Sequence, residues 1–207
     1  MSRLTRSVRK LADYFRGNRG ESAPRLIAGM QRLHDVISAM PLAGKIWING
    51  GVLLGHVREG RPLAHDTDVD FSYWDHDGQY LREALPELLA AGFRRYARWT
   101  NNDNHVTEWS LTYRGIKFEF FEMHRFGDRM RWYCYGGDPC QELLNEAPLH
   151  GLESLEMAGR RWLKPDDHET YLTALYGDWR SPNPAYCYVT DSRAIIRRRT
   201  WTGVCKW

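Results

Sequence analysis

The chain has 207 residues, of which 43% are apolar and 27% charged; this suits one compact globular unit and excludes wholesale disorder, collagen-like repetition and low-complexity scaffolds. The formal net charge of +3 conceals a division, because residues 1–20 hold six Lys/Arg against one acid, residues 191–207 hold five against one, and the stretch between is acidic by about six charges. No apolar run approaches the ~20 residues of a membrane span, and the basic start MSRLTRSVRK has no hydrophobic segment behind it. The expectation is therefore a cytoplasmic protein whose basic ends are either solvated or in peripheral contact with an anionic membrane surface, with no nucleic-acid partner.

Residues 1–22 read as a basic N-terminal segment, 23–184 as the folded domain and 185–207 as a basic C-terminal tail. Leu26, Ile27, Met30, Leu33, Ile37 and Met40 recur at helical spacing and predict an amphipathic helix over 24–40, ended by Pro41 and Gly44. Lys45 to Ile48 is a short β-rich run leading into Asn49-Gly50-Gly51, after which Val52 to Val57 forms a helical turn or two. The segment Asp66 to Tyr73 alternates strictly, with Asp66, Asp68, Asp70 and Ser72 on one face and Val69, Phe71 and Tyr73 on the other, as a strand does. A second helix over 78–91 contains Pro86, and 92–99 is a further strand. Beyond the Asn101-Asn102-Asp103-Asn104 loop, 105–113 and 116–122 form a hairpin about Arg114-Gly115. Its second arm turns Ile116, Phe118 and Phe120 one way and Lys117, Glu119 and Phe121 the other. Aromatic residues 131–135 add a strand, Met157 to Arg160 a turn, and Pro165-Asp166 opens a helix to about Tyr176. With no repeat and no linker, the fold class is α+β, a mixed or antiparallel sheet flanked by helices.

Nine Trp and eleven Tyr are expected mainly in sheet packing, with some lining a polar cleft. Cys134, Cys140, Cys187 and Cys205 form no C-x-x-C pair and are expected as unligated thiols. His56, His65, His105, His124 and His168 lack the i, i+4 pairing of a zinc helix and read as surface or structural histidines. His65 differs in adjoining the acidic strand, where it could titrate or touch phosphate. The acids of Asp166-Asp167-His168-Glu169 sit at a helix start and suit capping.

The chemistry is concentrated between residues 50 and 70. Gly50 and Gly51, after a strand and before a helix, leave backbone N–H groups open to a phosphate at the positive end of the helix dipole, although Gly-Gly also makes plain turns. Asp66, Asp68 and Asp70 on one strand face bring like charges within ~7 Å of their neighbours, which destabilises a fold unless a cation sits among them. An all-oxygen set points to Mg²⁺ or Mn²⁺. The alternatives are a solvated edge-strand face and a surface Ca²⁺ loop, but an EF-hand's loop Gly and terminal Glu are missing. Glu119, on the polar face of its strand, is the candidate third acid, its alternative being pairing with Lys117 or Arg114 on a wet face; Glu122 is the fallback and points oppositely.

This array resembles the polymerase-β-like nucleotidyltransferase superfamily. More closely, Gly51-x-x-Leu54-Gly55-x-x-Arg58 followed by Asp66-Thr67-Asp68-Val69-Asp70 resembles the LicD and fukutin-related-protein family. Tyr171-Leu172-x-x-Leu175-Tyr176-Gly177-Asp178-Trp179 is similar to that family's closing motif, so the resemblance spans about residues 25–184. It implies a nucleotidyltransferase-like catalytic domain with Asp68 and Asp70 as metal ligands, Glu119 where the family usually has Asp, and Gly50 and Gly51 as the phosphate-cradling turn. Arg58 would contact phosphate or hold the acidic strand, and Asp66 would stand behind the metal ligands. The family's Pro-Trp before the acidic run is Ala64-His65 here. The implied activity is transfer of a phosphorylated alcohol, such as phosphocholine or a ribitol- or glycerol-phosphate-like group, from a CDP-linked donor to a glycan or polyol hydroxyl. An unligated oxygen of Glu119, or Asp66, would take the hydroxyl proton. The alternatives are transfer of NMP from NTP onto a small hydroxylated molecule, and a non-catalytic glycan- or nucleotide-binding module.

Overall fold

The computed structural model describes residues 22–63 and 66–207, so the basic N-terminal segment, apart from Ser22, and His65 lie outside the described residues. The first helix, α1 (Ser22–Ile37), buries Leu26, Met30, Leu33 and Ile37 along one stripe. It stops before Met40, because residues 38–44 turn, with Gly44 in the left-handed region at φ 71°. A Cβ at Gly29 would stand 2.6 Å from the Phe118 ring, so glycine lets α1 lie close on the sheet.

Strand β1 (Ile46–Ile48) pairs antiparallel with β2 (Asp68–Trp74), and α2 (Gly50–Glu59) connects them. One 3₁₀ turn, Asp75–Asp77, leads into α3 (Gly78–Ala90). Pro86 is tolerated in α3 because it is on the exposed side, where the carbonyl it leaves without an N–H partner meets water. Strands β3 (Arg94–Thr100), β4 (Val106–Tyr113) and β5 (Ile116–Phe126) follow. The expected hairpin joins β4 and β5, with Arg114 at φ 49° and Gly115 at φ 81° making the two-residue turn.

Strand β5 organises the sheet. Its first two-thirds lies between β4, antiparallel, and β2, parallel, while its last residues, His124–Phe126, pair with β6 (Arg129–Gly136). Strands β7 (Gln141–Pro148) and β10 (Ile195–Thr200) extend the sheet antiparallel beyond β6. A separate hairpin of β8 (Leu152–Met157) and β9 (Arg160–Pro165) turns at Ala158 and Gly159, as Met157–Arg160 predicts. Helices α4 (His168–Tyr176) and α5 (Tyr188–Asp191) complete the chain, so the protein is α+β with a mixed sheet flanked by helices.

The sheet's two faces divide the labour. Val69, Phe71, Tyr73, Ile116, Phe118 and Phe120 are buried in one core with the inner stripes of α1 and α3. Pro165 ends β9 instead of opening α4, whose N-cap is Asp167: its carboxylate accepts from the Thr170 N–H at 3.1 Å, and that bond holds its pKa below the usual carboxylate value.

The segment read from sequence as a basic tail is woven into the sheet. Arg199 of β10 reaches Glu142, which is 1% exposed, at 2.7 Å, and Glu142 also accepts from the Asn102 N–H at 2.6 Å. Trp201 packs against the stacked pair Trp99 and Tyr135 with its ring N–H on the Thr100 carbonyl at 2.8 Å, and Cys205 forms a backbone β-bridge with Trp99. Among the described residues no helix is long and apolar enough to cross a membrane. Phe118, fully buried between α1 and the sheet, marks the packing on which this arrangement rests. Phe118→Ala is expected to cost about 3–5 kcal/mol of folding free energy, read as a lower urea midpoint with an unchanged m-value.

Candidate active site

Asn49 closes β1 and starts α2. Its backbone N–H donates to the Asp70 carbonyl at 2.9 Å, its Oδ1 accepts from the Gly50 N–H at 2.6 Å, and its Nδ2 donates to Ser72 Oγ at 2.8 Å. Tyr171 of α4 donates its hydroxyl to the same Oδ1, so one buried amide ties together β1, β2, α2 and α4. Burial raises the Tyr171 pKa well above that of a free phenol, which keeps it a donor.

Gly50 is obligatory twice over. Its φ of 57° lies in the left-handed region, and a Cβ there would stand 1.9 Å from Asp70 Oδ2. Gly51 differs, since its Cβ would meet Asp66 Oδ2 at an ordinary 3.4 Å. At Gly55 a Cβ would come within 2.8 Å of the Arg61 carbonyl and the Leu63 nitrogen, so the chain folds back tightly on α2 before it reaches Asp66.

The register then sets the charge pattern. Asp70 of β2 is the direct partner of Glu119 of β5, and Asp68 is the partner of Lys117. Ser110 of β4 is the partner of Glu119 on the other side, and Glu108, two residues earlier, shares its face. Lys117 Nζ lies 2.8 Å from Glu119 and 3.9 Å from Asp68. Burial followed by the negative field of Asp68 and Glu119 pushes the Asp70 pKa well above the carboxylate norm. Asp66 is pushed up to about 7, again by burial first and then by Asp68. Glu108 is raised by burial, by the Glu119 charge and by a hydrogen bond to Glu119 that favours its protonated form, while Ser110 Oγ donates to it at 2.9 Å. Burial opposes the charge on Lys117, but Glu119, Asp68 and Asp70 outweigh it and hold the ammonium charged.

These groups share one cavity of about 1730 Å³, which is also lined by Gly50, Gly51 and Arg58. Arg58 touches Glu59 at 3.3 Å, and its buried Nε has no partner among the described residues. The far wall is aromatic and includes Trp99, Tyr135, Tyr176, Trp179 and Tyr186, with Asp178 among them. Tyr176 and Tyr186 approach to 5.1 Å, and Trp99 stacks on Tyr135 at 5.1 Å.

The structure thus brings Asp66, Asp68, Asp70, Glu119, Gly50, Gly51 and Arg58 to one cavity; His65 lies outside the described residues. Glu119 does pair with Lys117, one of its expected alternatives, but on a face that leaves its side chain only 13% exposed. Glu122 points away from this cavity, as the strand alternation requires. Sequence reasoning missed Glu108 and the hub role of Asn49. The hairpin register about Arg114-Gly115 carries the signal for Glu108, because it sets Ser110 opposite Glu119. The donor set is all carboxylate oxygen on two adjacent strands, the chemistry that suits Mg²⁺ or Mn²⁺. Asp68, Asp70 and Glu119 are the residues that would hold the ion, with the Lys117 ammonium now between Asp68 and Glu119.

A parallel strand pair bears facing carboxylates, in front of the N-terminus of a glycine-started helix, and a family model of transferases with a nucleotidyltransferase-like domain covers these elements. The family model described as LicD/FKTN/FKRP, nucleotidyltransferase domain, matches residues 44–167, more than half of the chain. The chain belongs to that family. The match takes in Asn49 to Asp70 and Glu119 and stops before Tyr171 to Trp179. Among solved structures, the lincomycin-bound crystal structure of the lincosamide antibiotic adenylyltransferase LnuA is similar, with 12% identity and a TM-score of 0.43 over 70% of this chain and 83% of that one. No curated protein sequence matches the chain.

Crowding at Asp70 and burial of Asp66 each lead to a measurable outcome. Gly50→Ala combines left-handed strain with a clash and is expected to cost about 1–3 kcal/mol in chemical denaturation, whereas Gly51→Ala stays within ~1 kcal/mol of wild type. The folded protein without metal holds a proton on Asp66 up to about pH 7, while the unfolded chain releases it near 3.8, as an ordinary aspartate does. The Asp66 contribution to stability should therefore fall as pH rises from about 4 to 7, by on the order of a few kcal/mol, read in chelator as the difference between wild type and Asp66→Asn. A difference that did not change across this range would contradict the assignment.

Proposed function

We propose that this protein transfers a phosphorylated alcohol, of the phosphocholine, ribitol-phosphate or glycerol-phosphate type, from a CDP-linked donor to a glycan or polyol hydroxyl. The observation that carries the reading is the pairing of Asp70 with Glu119 across adjacent parallel strands, directly in front of Gly50 at the start of α2. The family supports transfer of this general kind.

The donor diphosphate would lie against the first N–H groups of α2, where the helix dipole favours anions, with the Arg58 guanidinium beside it. Mg²⁺ or Mn²⁺ held by Asp68, Asp70 and Glu119 would supply positive charge to offset the negative charge developing on the phosphates. The acceptor oxygen attacks the phosphorus that bears the donor alcohol, a new P–O bond forms, the bond to CMP breaks, and CMP departs with the electron pair. The hydroxyl proton passes to Asp66 or to a free oxygen of Glu119. Glu108 and Ser110 keep Glu119 oriented. The aromatic wall offers faces for the donor base and for the apolar face of a sugar or polyol.

Incubation of the full chain with CDP-linked donors, a polyol or glycan acceptor and Mg²⁺ is expected to release CMP, with the adduct seen by mass spectrometry. Asp68→Ala and Asp70→Asn should each lower turnover by at least ~10²-fold while the thermal transition stays near that of wild type. Pyrophosphate released from NTP, with no turnover of any CDP donor, would establish nucleotidyl transfer instead. Binding of donor without turnover would leave a binding module.

A further inference from the structure

On the face of β5 turned away from the transfer cavity, two histidines converge on one carboxylate. Glu122 and His124 sit two residues apart on that face, and His105 reaches them from the loop that precedes β4. Both imidazoles present Nε2 to the same oxygen, Glu122 Oε1, His124 at 3.1 Å and His105 in closer contact. The three ligand atoms all lie within 4.8 Å of one another.

Asp75, in the 3₁₀ turn after β2, lies 3.3 Å from His124 Nδ1, and an Nδ1–H held toward Asp75 would leave Nε2, which faces Glu122, as the ligand atom. Tyr73 Oη donates to the other carboxylate oxygen, Oε2, at 3.4 Å, which leaves Oε1 to the histidines. Without an ion the contact is held by a proton on Nε2, and the hydrogen bond to Glu122, with the Glu122 and Asp75 charges, raises the His124 pKa; a metal ion at Nε2 would take that proton's place. The Glu122 side chain is only 6% exposed, so its charge is costly without a counter-charge. His105, with 54% of its side chain exposed, leaves one side open for a water as fourth ligand.

We propose that His105, Glu122 and His124 bind a zinc ion, with Asp75 as the carboxylate that orients His124. Two imidazoles and one carboxylate form a recognised zinc donor set, and nitrogen donors separate this site from the oxygen-only cavity on the other face. The ion would clip the β3–β4 connection to the ends of the parallel strands β2 and β5. The site is independent of the transfer chemistry proposed above and stands or falls without it.

The test uses the full chain, free of any affinity tag, stripped with chelator and titrated with Zn²⁺ alone by calorimetry, in the Asp68→Asn/Asp70→Asn background that disables the oxygen-only cavity by removing two of its carboxylates. One zinc per chain is expected, and the Co²⁺ form should show the visible d–d bands of a tetrahedral site. Asp75→Ala should weaken binding about 10–100-fold, and His105→Ala and His124→Ala at least as much. Folding is controlled by melting in chelator, where His105→Ala should match its parent, while added Zn²⁺ should raise the melting temperature of the parent only. Failure to take up zinc, or equal uptake by the His105→Ala and His124→Ala variants, would overturn the proposal and leave an imidazolium–carboxylate cluster.

Discussion

The site is governed by the in-register pairing of Asp70 with Glu119. Parallel pairing of β2 with β5 sets two carboxylates side by side, and Asp68, Asp66 and Glu108 crowd the same cavity. Like charges packed this way raise each other's proton affinity, and burial adds to it, so Asp66, Asp70 and Glu108 all hold protons more tightly than free carboxyls. Lys117 offsets part of the charge from within the cluster. Such an arrangement is a cost to folding, and sites that handle phosphate with the help of divalent ions are where that cost has a chemical use.

The rest of the fold holds this cluster in place. Asn49 binds the start of α2 to β2 through Asp70 and Ser72, and Tyr171 brings α4 to the same amide. Gly50 allows Asp70 and the helix start to meet without an intervening side chain. The apolar side of β2 and β5 is closed by α1 and α3, which leaves the polar side free to face the cavity. The same period-two alternation gives β5 two chemistries, with Lys117 and Glu119 on one face and Glu122 and His124 on the other.

Local patterns made much of this legible in the residue order. The Asp68–Asp70 alternation, the Gly50-Gly51 step after a short strand, and the Arg114-Gly115 turn each depend on neighbours a few residues away, and each occurs as its pattern predicts. Helix α1 is shorter than its apolar spacing suggests, since turn chemistry from Ser38 onward overrides the periodicity at Met40. The segment 141–148 has no clean alternation, and its strand is imposed by β6 and β10 on either side.

What chain order alone established is therefore the candidate site's inventory: which strand bears the acids, which turn bears the glycines, and that Glu119 faces opposite to Glu122. Strand pairing decided the remainder. That Asp70 meets Glu119, that Glu108 joins them, and that His105 reaches Glu122 and His124 are consequences of register between segments far apart in the chain. The C-terminal arginines likewise read as a solvated basic run, and only the pairing of β10 with β7 gives Arg199 a buried Glu142 to neutralise. Periodicity within a segment reports which face a residue occupies; it holds no information about which residue of another strand will be placed beside it.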